Sequence, residues 1–84
     1  MSEPRVIATV PKNGAEEVRV SLSTFKGHAL VDVRVFADLG DEAERRATKK
    51  GVALAVAKLP ALIAALQEAA RAAGLPNDGR AGAW

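Results

Sequence analysis

Cysteine and tyrosine are missing from this chain of 84 residues, and histidine occurs once. Without cysteine there are no disulfides and no thiolate metal sites. One histidine, His28, with no thiol beside it leaves too few ligands for zinc, so neither metal nor cofactor is expected. Large rings are scarce: two phenylalanines and one tryptophan, with most of the 49% apolar content in alanine and valine. No run approaches the ~20 apolar residues of a membrane span, because Lys58, Gln67, Glu68 and Arg71 interrupt the best candidate. The N-terminus is polar and has no apolar segment of the secretory type. These absences point to a cytoplasmic protein, nucleoid-associated in a bacterial cell, with no membrane partner.

Catalytic machinery is missing as well. No third group orients a hydroxyl nucleophile against His28. Carboxylates gather only in the run Asp38, Asp41, Glu42 and Glu44, a surface connection broken by Gly40, where no apolar pocket raises a pKa. That run also lacks the spacing and closing glutamate of a calcium loop, and no glycine-rich phosphate loop occurs. The chain reads as a binding protein, not an enzyme. It is also short: a chain of this size buries only roughly 60% of its unfolded surface. Association with a second copy is the common remedy.

What is present is alternation. Val18, Val20 and Leu22 alternate with Arg19, Ser21 and Ser23, and Val31, Val33 and Val35 alternate with Asp32, Arg34 and Phe36. That is the period of half-buried strands. Lys26-Gly27 between them suits a two-residue hairpin turn with positive φ angles. The pattern predicts strands over residues 6–10, 17–25, 28–37 and 46–55, with Asn13-Gly14 as a turn signal and Gly51 as a bulge or close-approach point. Leu59, Leu62, Ile63, Leu66, Ala69, Ala70 and Ala73 then follow helical spacing, with Pro60 in the first turn and Gly74-Leu75-Pro76 as a stop. The expected fold is α+β: a four-stranded antiparallel curved sheet in the order β-β-β-β-α, with a helix apolar enough to serve a second copy in a homodimer. Residues 1–5 and 75–84 read as flexible ends, the latter including Trp84, around a single domain over residues 6–74.

The net charge of +2 hides a segregation. Behind the acidic run come Arg45, Arg46, Lys49 and Lys50, four cations in six residues with no acid among them. Such a cluster is ordinarily a solvated face, and it is also what tracks phosphates. Arg34 shares a face with Asp32, so an ordinary ion pair is one reading of it. Phe25 beside the glycine turn reads either as hairpin packing or as a base-stacking platform.

The Phe25-Lys26-Gly27 hairpin, the Val31-Asp32-Val33-Arg34 that follows, the later Lys49-Lys50-Gly51-Val52-Ala53-Leu54 and the single terminal helix resemble the C-terminal domain of transcriptional positive cofactor four. The resemblance covers residues 6–73. It implies a homodimer of curved antiparallel sheets with the helices at the interface, through Leu59, Leu62, Ile63, Leu66 and Ala70. It also implies binding of single-stranded DNA with little sequence preference. Carried over position by position, Phe25 resembles the family's stacking aromatic, Lys26 its backbone-contacting lysine and Arg34 the third-strand arginine. Arg46, Lys49 and Lys50 resemble the basic residues before the fourth strand's glycine. His28 stands where the family often has lysine, Ser23 where it often has a basic residue, and Ala37 where the best-known members have a stacking tryptophan. Phe36 adds a second candidate ring. The implied partners are single-stranded DNA, melted duplex or RNA, and the implied roles are transcription regulation as a coactivator, or protection and repair of exposed strands. The competing expectation is a dimer that docks on transcription proteins.

Overall fold

The computed structural model describes residues 4–38, 40 and 44–75. Asp41 and Glu42 of the acidic run, residues 1–3, and the expected tail from Pro76 to Trp84 lie outside the described residues. Four strands and a helix follow in order: β1 (Arg5–Pro11), β2 (Glu16–Phe25), β3 (His28–Ala37), β4 (Arg46–Ala55), a 3-10 turn (Val56–Lys58) and α1 (Leu59–Ala72). The strands form one open antiparallel sheet with the spatial order β1-β2-β3-β4.

Register follows from the alternation. Val18, Val20 and Leu22 stand opposite Val35, Val33 and Val31, and Val33 and Val31 stand opposite Val52 and Leu54. Directly opposed residues share a face, so these side chains form one apolar surface. Glu17, Arg19 and Ser21 stand opposite Phe36, Arg34 and Asp32, and form the other. A slip of one residue would exchange the two faces, and that holds the register. The β2–β3 turn is the expected pair, with φ of 51° at Lys26 and 79° at Gly27, the mirror-image turn whose twist matches the strands it joins.

Two details differ from the sequence reading. Asn13-Gly14 does not make such a turn, and Gly14 keeps an ordinary φ. Instead Asn13 Oδ1 accepts the backbone N–H groups of Ala15 and Glu16, both at 2.9 Å, closing a four-residue loop through a side chain. A 3-10 turn also separates β4 from α1 and lies against β3. Gly51 does mark a close approach: a Cβ there would sit 2.6 Å from the Val33 carbonyl oxygen and 2.8 Å from the Arg34 Cα. The β3–β4 register shifts beside it, with Thr48, Lys49 and Lys50 facing the single residue Val35.

The helix ends as its sequence requires. Gly74, at φ 81°, donates to the Arg71 carbonyl at 3.0 Å, and Leu75 donates to the Ala70 carbonyl at 2.9 Å. This paired closure satisfies carbonyls that the last turn leaves open. Burial is sparse: Val31, 1% exposed, is the one fully buried apolar side chain among the described residues. Leu59, Leu62 and Ala70 are half-buried, whereas Ile63 and Leu66 on the same stripe remain 49% and 61% exposed.

Candidate nucleic-acid interface

The polar face of the sheet is held by three arginines and two acids. Arg34 Nη2 and Nε donate to Asp32 at 2.8 and 3.0 Å, and Nη1 reaches across to the Thr48 carbonyl on β4 at 3.0 Å. Three of its five N–H donors are thereby engaged. The ordinary ion pair is therefore present, and Asp32 makes Arg34 hold its proton more tightly still. Arg34 also fastens the irregular start of β4. There Thr48 Oγ1 donates to the Val35 carbonyl at 2.8 Å and accepts the Lys50 N–H at 3.1 Å.

A second group lies along the same face. Glu17 Oε2 accepts Arg19 Nε at 2.5 Å, while its Oε1 accepts Arg45 Nη1 at 2.8 Å. Arg45 also donates to the Gly14 carbonyl at 2.9 Å, which ties the segment before β4 to the β1–β2 loop. The hydrogen bond from Arg19, helped by the charges of Arg19 and Arg45, holds the Glu17 carboxyl below its ordinary range. Arg19 further lies over the Phe36 ring, 4.1 Å from its centroid. The alternation places Glu17 and Arg19 on this face, but nothing local reveals that Arg45, 28 positions later, completes the group.

Beside the Asp32–Arg34 pair is a hollow of about 280 Å³. Its floor is Ser21, Ser23, Leu30, Asp32, Arg34 and Phe36, with Ala47 and Ala53 of β4 and Pro4 around it. The small side chains on β4 are what leave the space open. Beyond it, at the hairpin end, Phe25 stands opposite His28 and is 52% exposed. Lys26 Nζ sits 5.3 Å from the centroid of that ring, within cation–π range. Arg46, Lys49 and Lys50 are exposed along β4, and Lys49 and Lys50 enter no ion pair among the described residues. The structure thus brings Arg34 and Phe36 together at the hollow. It puts Phe25, Lys26 and His28 at one end of the sheet, and Arg46, Lys49 and Lys50 along its fourth strand. No group of metal ligands occurs among the described residues.

Comparison with solved structures places this sheet and helix among known relatives. A PC4 homologue from Burkholderia pseudomallei, in its tetragonal crystal form, superposes with a TM-score of 0.73 at 25% identity, covering 81% of this chain and 98% of that one. Its orthorhombic form gives a TM-score of 0.75 at 27% identity, over 84% and 95% of the two chains. A bacteriophage T5 homologue of the eukaryotic transcription coactivator PC4, implicated in recombination-dependent DNA replication, shares the fold. Its TM-score is 0.66 at 21% identity, over 87% of this chain and 83% of that one. No curated protein matches the chain. The sequence itself matches a family over residues 12–65, from the β1–β2 loop into α1, and that match makes the chain a member of the Transcriptional Coactivator p15 (PC4) family.

Proposed function

We propose that this protein binds single-stranded DNA as a homodimer, with little sequence preference, in transcription regulation or in the protection and repair of exposed strands. The observation that carries the reading is Phe25: a large ring half in solvent at a hairpin end, with Lys26 over it and His28 opposite. A base can stack on such a ring while the ammonium meets its phosphate, and neither contact selects among bases. Arg46, Lys49 and Lys50 carry the backbone along β4, and Arg34, fixed by Asp32 and the Thr48 carbonyl, adds its charge at the hollow beside Phe36. Pairing of two copies through Leu59, Leu62, Ile63, Leu66 and Ala70 covers the exposed helix stripe. It also doubles the charge presented to DNA.

Fluorescence anisotropy with a labelled ~20-nucleotide strand, at two salt concentrations and against the matching duplex and RNA, tests this directly. Tight binding to the DNA strand is expected, with a log–log salt slope of about −0.7 per phosphate neutralised. Phe25→Ala should cost about 1–3 kcal/mol for each base it stacks. Equal and weak binding to strand and duplex overturns the reading and leaves a dimer that docks on proteins. Preference for the RNA strand changes the ligand and keeps the site.

A further inference from the structure

Arg19 and Arg34 stand directly opposite each other on β2 and β3, and opposed like charges weaken a sheet unless each is compensated. Each has an acid two positions before it on its own strand, Glu17 for Arg19 and Asp32 for Arg34. The two arginines differ in what lies under the guanidinium. Arg34 is spent on Asp32 and the Thr48 carbonyl, so it works as a clamp between strands. Arg19 instead has an aromatic ring beneath it. Its Nε–H runs to Glu17, and an N–H bond lies in the guanidinium plane, so the carboxylate occupies an edge and Phe36 occupies one face. The other face carries no ring among the described residues, and the side chain keeps 27% of its exposure. Glu17 is in turn held by Arg45, so the seat is in place before any ligand arrives. The trio of Arg19, Glu17 and Arg45 retains one positive charge.

We infer that Arg19 is a further nucleic-acid contact of this face, its guanidinium plane serving as a base-stacking platform seated on Phe36. The inference rests on the single-strand reading above. A guanidinium is flat, permanently charged and weakly hydrated, so it stacks on rings where a lysine ammonium does not. Bases splayed from a single strand use such planes as they use aromatic ones. Phe36 then acts through Arg19 as its seat, and the platform lies on the polar face away from the Phe25 hairpin end.

The test uses the full chain, the same labelled strand, and a second strand carrying 2-aminopurine as a stacking reporter. Arg19→Ala is expected to weaken binding roughly fivefold or more and to relieve part of the 2-aminopurine quenching. Arg19→Lys keeps the charge and the methylene stem, and is expected to behave like the alanine variant. Phe36→Leu is expected to weaken binding in the same direction, because the plane loses its seat. Thermal melts establish that each variant is folded; if Arg19→Ala is not, Arg19→Lys decides alone. Full affinity and quenching in Arg19→Lys, or in a folded Arg19→Ala, overturn the platform while wild-type binding upholds the single-strand reading. A wild-type chain that does not bind the strand overturns both.

Discussion

Gly51 has no room for a side chain. Its missing Cβ would fall 2.6 Å from a backbone oxygen of the neighbouring strand, and backbone does not yield as the end of a flexible side chain does. Gly51→Ala is expected to cost about 1–3 kcal/mol, read as a lower urea midpoint with an unchanged slope. The sequence alone marks Gly51 as a close-approach point because a glycine inside a strand pattern needs a reason. Asp32 and Arg34 are readable in the same way, two apart on one strand and therefore neighbours. Arg19 is so only in part. Glu17, two positions before it, is readable in the same way, but the ring under Arg19 lies 17 positions away on the next strand and Arg45, which also holds Glu17, comes later still.

At the level of elements, period-two and helical spacing are enough to place all four strands and the helix. Their ends differ by a residue or two: β1 runs over Arg5–Pro11 and β2 begins at Glu16. The β1–β2 connection falls where Asn13-Gly14 signals a turn, and its form has a chemical reason. Asn-Gly favours a tight mirror-image turn, but Asn13 spends its carbonyl on two backbone N–H groups and so builds a longer loop. Helix α1 carries the clearest energetic consequence, since Ile63 and Leu66 leave large apolar surfaces uncovered. Covering a leucine contributes about 1.5–3 kcal/mol, and a twofold interface counts each residue twice. If the proposed homodimer pairs through α1, Leu66→Asp is therefore expected to raise its dissociation constant on the order of 100-fold or more. Analytical ultracentrifugation across a concentration series reads it, and an unchanged association state would remove α1 from the interface.

Across the sheet, the acids on its strands, Glu16, Glu17 and Asp32, are each paired with a cation. Glu17 is held by two arginines, and Glu16 accepts hydrogen bonds from Lys12 and Asn13, at 2.8 and 2.9 Å. Both carboxyls lie below their ordinary value near 4.5, Glu17 chiefly through the Arg19 hydrogen bond and Glu16 chiefly through that of Lys12. A folded-state pKa below the unfolded one means that these contacts stabilise the fold fully above about pH 4.5, and that this contribution is lost as pH falls through the depressed values. The melting temperature is expected to fall between about pH 5 and pH 3, and Glu17→Gln to flatten that fall. An equally steep fall in the variant would assign it to other groups. Between pH 6 and 8 these two acids change neither stability nor charge, so they leave the neighbouring cations to act on a ligand unaltered.

Lys26 sits at φ 51°, where a side chain with a Cβ costs roughly 1–2 kcal/mol and where asparagine or glycine is the ordinary occupant. The fold by itself would be better served by another residue. Lys26→Asn is expected to raise the urea midpoint while weakening binding to the DNA strand, two changes of opposite sign from one substitution. A site where stability and affinity pull apart is one where selection for binding has overruled selection for folding. On the proposed reading, its position at the hairpin end, beside Phe25, is the place in this chain where binding is kept at the expense of stability.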